Sequence, residues 1–328
     1  MIYITGDCHG NFERFNTDIF PEQLEMNKED YVIICGDFGG IWDKSGDSKK
    51  EAMILNQLEC KSYTTLFVDG NHENFDRLSD YPVDTWNGGK VHKIRPSVIH
   101  LMRGQIFEID GKSIFTFGGA SSHDITGGIL DPMDPKYGKK KKQLNRDKVP
   151  YRINHVSWWE EELPSEEEMM EGCRNLEKHD NTVDYIVTHC CASSTQLLLG
   201  GTAFKPDRET DYFEKILHRV KFKKWFFGHL CFVLLLVVMT IMRNPFQFPY
   251  MTIYIDISGK RNVKAEDYID RYLINNKFDF IKLHEEKIKK WKKDCNYTIR
   301  SSMLEEYRQK QYNKILDEGK TYQFIFQR

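Results

Sequence analysis

The stretch YVIICGDFGG (residues 31–40) runs from five apolar or aromatic residues directly into a carboxylate flanked by glycine and phenylalanine. An apolar run of this length that ends at glycine predicts a buried β-strand followed by a tight turn. A related pattern recurs in IYITGDCHG (2–10), TLFVDGNHE (65–73), DYIVTH (184–189) and KKWFFGH (223–229). The sequence therefore predicts five buried strands, each of which ends in polar residues.

Helix-like stretches between these strands predict a layered α/β fold. They cover residues 11–20, 49–59, 165–178 and 208–220. Ser165 and Glu168 form a capping box, which supports a helix start at that point. Strands that alternate with helices are typical of α/β proteins, whereas residues 91–117 predict short antiparallel strands with a turn at Asp110-Gly111.

Residues 125–151 hold three prolines and the run Lys139 to Lys142. This composition predicts a long surface loop between two parts of the fold. The four lysines either form a solvated surface or steer phosphate groups, and the sequence leaves both interpretations open.

The composition indicates an ordered globular chain with two parts. Its 328 residues are 40% hydrophobic and 29% charged, which excludes a disulfide-stabilised miniprotein and a disordered tail. The formal net charge is −2, so no overall excess of charge points to nucleic acid or to an anionic membrane. Residues 260–328 contain 17 basic and 11 acidic side chains. We therefore predict a main α/β domain over residues 1–259 and a basic, mostly helical extension over residues 260–328.

The cysteine pattern and the hydropathy predict a cytoplasmic protein without a membrane span. The eight cysteines include no C-x-x-C pair, and the chain starts with MIYITGD rather than with a charged and then apolar leader. The longest apolar run, residues 230–242, has 13 residues, whereas a helix needs about 20 to cross a bilayer.

Polar residues with metal-binding atoms stand at all five predicted strand ends. They are Asp7, His9, Asp37, Asn71, His72, His189 and His229. Loops at the carboxyl ends of parallel strands meet at one edge of a sheet, so these side chains are expected to lie together. A single histidine is usually structural, but the coincidence at five strand ends favours a site. Carboxylate, imidazole and amide donors suit manganese, iron, zinc or nickel, and two such ions about 3.5 to 4 Å apart would clamp a phosphate and activate water.

Four motifs in this order are similar to those of the calcineurin-like metallophosphoesterases. They are D-x-H (7–9), G-D-x-x-G (36–40), G-N-H-E (70–73) and G-H (228–229), with a separate histidine at position 189. The resemblance covers about residues 1–258 and implies an α/β sandwich of two sheets with helices outside, around two divalent metal ions. By the same resemblance the first ion is held by Asp7 and His9, Asp37 bridges both ions, and the second ion is held by Asn71, His189 and His229.

Two further residues are implied to act on the substrate. His72 would lie beside the phosphate and stabilise charge or protonate the leaving oxygen; alternatively, it packs beneath the metals. GGASSHD (118–124) and YRINHVSWWEEELPS (151–165) resemble a bacterial and phage subgroup of the family. Within these stretches, Arg152 either holds phosphate oxygens or forms a structural pair with Asp124.

The chain departs from the family pattern at two points. Asp69 precedes G-N-H-E, where Ser/Thr protein phosphatases commonly have arginine, which argues against that branch. The family motif G-H-x-H reads Gly228-His229-Leu230-Cys231 here, so the last ligand of the first metal is either absent or supplied by the thiolate of Cys231, which would favour zinc. The apolar stretch 231–252 replaces the polar hairpin that the resemblance implies, and is either a local shift of the reading frame or a genuine buried strand or helix.

These observations lead to two hypotheses from different functional classes. The first is a dimetal-dependent phosphoesterase that hydrolyses phosphomonoesters or phosphodiesters with a metal-activated water. The second, prompted by Cys231, is a catalytically impaired phosphate-binding or interaction protein on the same scaffold. A phosphorylated substrate is the expected partner of the enzyme. In the extension, aromatic residues near a lysine cluster at 287–293 form a small helical bundle or bind nucleic acid.

Overall fold

The computed structural model describes residues 1–200 and 205–229, and the backbone of two short strands at 255–256 and 321–324. In chain order the strands are β1 (Ile2–Thr5), β2 (Tyr31–Ile34), β3 (Thr64–Phe67), β4 (Val83–Trp86), β5 (Gly89–Arg95), β6 (Val98–Leu101), β7 (Gln105–Ile109), β8 (Lys112–Phe117), β9 (Ile129–Leu130), β10 (Arg152–Ile153), β11 (Tyr185–Thr188), β12 (Lys224–Phe227), β13 (Ile255–Asp256) and β14 (Thr321–Phe324). The α-helices are α1 (Lys49–Glu59), α2 (Phe75–Ser79), α3 (Tyr137–Asp147), α4 (Glu166–Lys178), α5 (Ser193–Gly200) and α6 (Arg208–Arg219). Short 3₁₀ helices cover Glu13–Phe15, Pro21–Glu25 and Glu160–Glu162.

Two sheets organise these strands. The larger sheet has the strand order β13-β1-β2-β3-β6-β5-β4, in which β1, β2, β3 and β6 are parallel, while β13, β5 and β4 pair antiparallel with their neighbours. The second sheet has the order β14-β12-β11-β8-β7 and is parallel except for the β7-β8 hairpin. That hairpin turns at Asp110-Gly111, as the sequence predicts. β9 and β10 form a separate parallel pair.

The core lies between the two sheets because side chains alternate along each strand. Ile2 and Ile4 of β1 belong to one buried cluster with Ile33 of β2, and with Ile114 and Phe226 of the second sheet. On the outer faces, α1 packs against the larger sheet, and α4 and α6 pack against the second. The predicted two-sheet α/β sandwich flanked by helices is therefore confirmed.

The helices predicted at 49–59, 165–178 and 208–220 are present, and Ser165 begins α4 with the predicted capping box. The prediction of a helix over residues 11–20 was wrong, since this region contains only the 3₁₀ turn Glu13–Phe15. The carbonyls of Phe15 and Phe20 instead accept hydrogen bonds from the buried side chain of Gln23.

The prediction of a loop over residues 125–151 was also wrong in part, because α3 lies between β9 and β10 in this region. None of the residues of α3 is buried. The helix therefore lacks the apolar period of 3.6 residues by which a surface helix is normally recognised in a sequence. A steering role for its lysines stays a prediction.

Several predictions fall outside the described residues and stay predictions. They concern Cys231, the stretch 231–252, the domain boundary at 259 and the extension 260–328. In the described part of the chain, no helix is both long and apolar enough to span a membrane. The six cysteines described there form no disulfide, and a reduced chain stays a prediction.

Candidate metal centre

The candidate centre lies where loops from both sheets meet at the carboxyl ends of parallel strands. The residues that follow these strands are Asp7 (after β1), Asp37 (after β2), Asn71 and His72 (after β3), His189 (after β11) and His229 (after β12). At two positions the backbone of one loop lies so close to a carboxylate from another loop that only glycine fits. A Cβ on Gly70 would collide with the carboxylate of Asp37, and a Cβ on Gly228 would collide with that of Asp7.

Asp37 stands between two groups of possible metal ligands. Its Oδ1 lies 3.4 Å from His189 Nε2, and its Oδ2 lies 3.6 Å from His9 Nε2. Oδ1 also accepts a hydrogen bond from the backbone N–H of His72 at 2.8 Å. Among the described residues, one group of donors within reach of a single ion consists of His9, Asp37 and His72, and the other consists of Asp7, Asp37 and His189. Asp37 is the member that both groups share.

His189 is oriented as metal-binding histidines usually are. Its Nδ1 donates a hydrogen bond to the backbone carbonyl of Cys35 at 2.8 Å, which leaves Nε2 facing Asn71 Oδ1 at 3.3 Å. A hydrogen bond from one ring nitrogen to a carbonyl commonly fixes the tautomer of a metal ligand. The side chain is fully buried, so its Nε2 is accessible only from inside the centre.

Asp7, Asp37 and His189 are buried, whereas the side chain of His9 is 51% exposed. Burial raises the pKa of Asp7, against the opposing effect of His189. Burial also opposes ionisation of Asp37, but His189 and other nearby imidazoles outweigh it and hold the pKa of Asp37 well below its ordinary value. In the same way, the charges of Asp37 and Asp7 outweigh burial and raise the pKa of His189 well above its ordinary value. Buried carboxylates require compensating positive charge, and these oxygen and nitrogen donors fit divalent cations of the manganese-to-zinc series.

His72 and Arg152 form one wall of the centre. Arg152 Nε donates to both carboxylate oxygens of Asp124, at 2.8 and 3.0 Å, and its Nη1 donates to the carbonyl of Ser157 at 3.0 Å. Its Nη2 lies 3.2 Å from His72 Nε2. Burial lowers the pKa of His72 to about 4; Asp37 opposes this shift and Arg152 adds to it. The ion pair between Arg152 and Asp124 is thus present, and the same guanidinium also lies within hydrogen-bond distance of the His72 ring.

The loop at residues 118–124, after β8, holds Asn71 in place. Ser122 donates to the buried carboxylate of Glu162 from its backbone N–H at 2.9 Å and from its Oγ at 2.6 Å. The same Oγ accepts a hydrogen bond from Asn71 Nδ2 at 3.2 Å, which leaves the amide oxygen of Asn71 directed at His189. Sequence reasoning missed both Ser122 and Glu162.

His229 and His123 meet at the side of the centre nearest this loop. The backbone N–H of His229 donates to the carboxylate of Asp7 at 3.2 Å, and its ring centroid lies 4.9 Å from that of His189. His229 Nε2 lies 2.9 Å from His123 Nε2. Sequence reasoning also missed His123, although GGASSHD follows a strand that ends at the same edge as β11 and β12.

Not every polar residue of the motifs faces the centre. The carboxylate of Glu73 accepts hydrogen bonds from the backbone N–H groups of Phe38 at 2.6 Å and Gly39 at 3.3 Å, so Glu73 holds the turn after β2. Asp69, just before G-N-H-E, instead accepts a hydrogen bond from Arg103 Nε at 2.9 Å.

The fold and this donor set define an α/β protein with candidate metal ligands at the strand ends of two sheets. The family model for calcineurin-like phosphoesterases matches residues 1–232, and the chain belongs to this family, as the motifs predict. Its members typically bind two divalent metal ions, and candidate ligand groups for such ions are present here. The match ends where the sequence departs from G-H-x-H, one residue after Cys231.

Individual relatives match a smaller part of the chain. Lariat debranching enzyme A of Xenopus laevis is 26% identical over 152 residues, which cover 42% of this chain and 27% of that protein. The lariat debranching enzyme of Danio rerio is 24% identical over 151 residues, covering 41% and 25% of the two chains, respectively. That of Drosophila pseudoobscura pseudoobscura is 27% identical over 141 residues, covering 39% and 25%. The chain thus spans about a quarter of the length of these curated relatives.

Proposed function

We propose that this chain is a dimetal-dependent phosphoesterase that hydrolyses phosphomonoesters or phosphodiesters with water. The observation that carries the proposal is the position of Asp37. This carboxylate is 2% exposed and belongs to both groups of donors that could hold an ion. A shared carboxylate keeps two ions close enough to act on one phosphate.

The proposed ligands divide between two ions. From the family motifs we assign Asp7 and His9 to the first ion, and Asn71, His189 and His229 to the second, with Asp37 between them. The donor groups of the structure instead combine Asp7 with His189, and His9 with His72, so only the shared position of Asp37 is supported by both. Cys231 is assigned to the first site from its place in the last motif.

Bound divalent ions would neutralise phosphate charge and activate water for attack on phosphorus. We expect manganese or nickel to support activity, since both suit the nitrogen and oxygen ligands, whereas a thiolate from Cys231 would favour zinc in the first site. We expect the protein to act in the cytoplasm.

His72 and Arg152 are proposed to act on the substrate itself. Arg152 Nη2, which lies beside His72 Nε2, would donate to a phosphate oxygen while Asp124 holds Nε in place. His72 would donate a hydrogen bond or a proton to the leaving oxygen. A bound phosphate would raise the pKa of His72 from about 4, whereas bound divalent cations would lower it, so proton donation requires the effect of the phosphate charge to exceed that of the ions.

The substrate class is proposed more narrowly from the relatives. Three of them carry the name lariat debranching enzyme, so cleavage at a branch point is one activity to test in this chain. Hydrolysis of simple phosphomonoesters and phosphodiesters should be measured first, because these small substrates test the activity of the centre without requiring any further binding surface.

The proposal is tested by hydrolysis of p-nitrophenyl phosphate and bis(p-nitrophenyl) phosphate with added Mn²⁺ or Ni²⁺. Metal content is measured in parallel by mass spectrometry. We expect two ions per chain, and turnover that disappears with a chelator and in the Asp37→Asn variant. Two bound ions without hydrolysis of either ester, or hydrolysis that survives the chelator, would contradict the proposal.

A second candidate is a catalytically impaired phosphate-binding or interaction protein. The observation that favours it is Cys231 in place of the final histidine of G-H-x-H. One bound ion or none, together with phosphate binding but no turnover, would favour this candidate. Cys231→His then tests whether the missing imidazole is the cause.

A further inference from the structure

A cavity of about 620 Å³ lies between α2, the β5-β6 hairpin and the start of α4. Its walls include the apolar side chains of Phe75, Leu78 and Met102. The volume is typical of cavities that hold small organic ligands. None of the candidate metal ligands lines this cavity, so it is distinct from the candidate centre.

The cavity carries a strong negative charge. Six acidic residues and two arginines line it, which is an excess of four negative charges. Arg103 neutralises one of these acids, Asp69. Within the described part of the chain, Glu160, Glu161 and Glu166 have no ion-pair partner. These three carboxylates therefore attract cations into the cavity.

His92 is a buried polar residue of the cavity wall. It is 8% exposed and lines the cavity. Its Nδ1 lies 3.1 Å from His100 Nδ1, and His92 forms no other hydrogen bond to the described residues. Its Nε2 is therefore the ring nitrogen that is left for a ligand.

The neighbours of His92 determine whether this nitrogen donates or accepts. Arg103 Nε donates to Asp69 Oδ2 at 2.9 Å, and Asp69 Oδ1 lies 3.1 Å from His100 Nε2, which therefore carries a proton. Because Arg103 already compensates the charge of Asp69, a further positive charge on the buried His100 would have no counter-charge. A neutral His100 accepts at Nδ1.

His92 must then donate from its Nδ1, which leaves its Nε2 without a proton and able only to accept. Burial also lowers the pKa of His92 to about 4, and His100 adds to this shift. A neutral ring at pH 7 agrees with the hydrogen-bond geometry. The cavity thus offers one buried acceptor nitrogen together with the carboxylates.

We propose that this cavity binds a small organic polycation, such as a linear polyamine. One N–H group would donate to His92 Nε2, and further ammonium groups would lie beside Glu160, Glu161 and Glu166. The apolar walls suit the methylene groups that link the nitrogens. A metal ion fits less well, because no three imidazole and carboxylate donors of this cavity lie within reach of one ion.

The test titrates spermidine into the full chain by calorimetry and compares two neighbouring carboxylates of α4. Glu166 lines the cavity, whereas Glu167 does not and pairs with Arg174 at 2.7 Å. Glu166→Gln should weaken binding about two- to fivefold, the effect of one exposed charge pair, and Glu167→Gln should leave it unchanged. His92→Phe keeps a ring but removes the acceptor, and should weaken binding at least about tenfold. Asp37→Asn should bind spermidine as the unmodified chain does, because the centre is a separate site.

A second measurement uses the unmodified chain, so it does not depend on the folding of any variant. The histidines are labelled with ¹⁵N, and NMR records the ring nitrogens of His92, assigned from its backbone. We expect an unprotonated Nε2 whose signal shifts when spermidine is added. A protonated Nε2 in the absence of spermidine would overturn the acceptor role and the proposal with it.

Three results of the titration would also overturn the proposal. The first is the absence of spermidine binding. The second is equal weakening by Glu166→Gln and Glu167→Gln, which would indicate general attraction to the surface. The third is binding of a lysine-rich peptide but not of spermidine, which would indicate a protein partner. None of these results bears on the dimetal proposal, which concerns other residues.

Discussion

Two clusters at the ends of neighbouring strands differ in how their buried carboxylates are paired. The candidate centre contains Asp37 after β2, and the Asp69 cluster (Asp69, His92, His100 and Arg103) begins directly after β3. Asp37 and Asp69 are 2% and 1% exposed. Each cluster also contains a pair of imidazoles, with nitrogens 2.9 Å apart in the centre and 3.1 Å apart in the Asp69 cluster. The two carboxylates are therefore buried to nearly the same extent beside similar side chains, although His92 and His100 are buried and His123 is exposed.

The difference lies in the partners. Asp69 Oδ1 accepts a hydrogen bond from His100 Nε2 at 3.1 Å, and Oδ2 accepts one from Arg103 Nε at 2.9 Å. Burial opposes ionisation of Asp69, but Arg103 outweighs it and holds the pKa of Asp69 well below its ordinary value. In the described part of the chain, Asp7 and Asp37 form ion pairs with histidines and with no lysine or arginine. The structural cluster therefore differs from the candidate site in having a fixed cation beside its carboxylate, and not in the burial of that carboxylate.

Asp37→Asn should give the largest effect, because it removes the charge that both donor groups share while it preserves side-chain size. Hydrolysis of bis(p-nitrophenyl) phosphate is expected to fall to the background rate, and the bound metal to fall below two ions per chain. Folding should survive, since no fixed cation loses its partner. Activity, metal content and thermal unfolding are measured together. Retention of most of the activity with two ions bound would exclude Asp37 from the shared position.

Much of the fold and part of the centre could be predicted from the sequence, because their signals are local. Apolar runs that end in polar residues mark five strands, and the motifs select Asp7, Asp37 and His189. The contrast between Asp37 and Asp69 could not be predicted from local pattern, since both follow an apolar strand. It depends on Arg103, which lies 34 residues from Asp69 along the chain and is brought to it only by the folded sheet.

The same limit explains why Ser122 and His123 were missed. Their loop follows β8, which the sequence marks as one strand of a hairpin and not as part of the parallel set. β8 joins that set by pairing with β11, for example Phe117 with Thr188, and this register is a property of the assembled sheet. A search for polar residues after every predicted strand, hairpin strands included, would have found them.

His72→Ala tests whether a residue beside the shared carboxylate acts on substrate. If His72 donates a proton, turnover should fall by on the order of 10² to 10⁴, with both ions still bound. The loss should be smaller for nitrophenyl esters than for alkyl esters, because a good leaving group needs less protonation. His155→Ala is the control, since His155 is exposed and pairs with Asp76 at 2.9 Å. Equal losses for both kinds of ester would argue against proton donation.

Asp69→Asn makes the same chemical change in the Asp69 cluster and should affect stability rather than catalysis. It leaves the buried Arg103 with Glu168, at 3.5 Å, as its remaining ion-pair partner, so the free energy of unfolding should fall by about 3 kcal/mol, the lower end of the range for a broken buried pair. Metal content and turnover per folded molecule should stay unchanged. Urea unfolding and metal content are measured on the same samples of Asp69→Asn and Asp37→Asn. An Asp69→Asn variant that loses metal but keeps its stability would contradict the distinction between the two clusters.

The pH dependence of this variant follows from the lowered pKa of Asp69. A carboxyl whose pKa is lower in the folded state contributes stability above its unfolded pKa of about 4, and that contribution is lost as the pH falls. The difference between the urea midpoints of the unmodified chain and Asp69→Asn should therefore be full at pH 7 and shrink towards pH 3. A difference that stays constant across this range would show that Asp69 does not contribute through its charge.

Glu209, at the start of α6, is a third buried carboxyl and should give the smallest effect. It is 0% exposed, and neither of its carboxyl oxygens has a hydrogen-bond partner among the described residues. Burial raises the pKa of Glu209 well above its ordinary value; Cys190 adds to this shift and Arg103 opposes it.

A raised pKa of Glu209 in the folded state means that its contribution to stability is full below the unfolded pKa of about 4.3 and is lost as the pH rises through the folded value. Glu209→Gln stays neutral at every pH, so its melting temperature should exceed that of the unmodified chain by on the order of 2–4 °C at pH 9, with the two values converging near pH 5. Glu160→Gln, on the surface, is the control and should follow the unmodified chain throughout. Metal ions are proposed to neutralise Asp37, Arg103 neutralises Asp69, and a bound proton is proposed to neutralise Glu209. A Glu209→Gln variant that is less stable at pH 9 would contradict this, because it would mean that Glu209 is ionised beside a fixed cation, as Asp69 is.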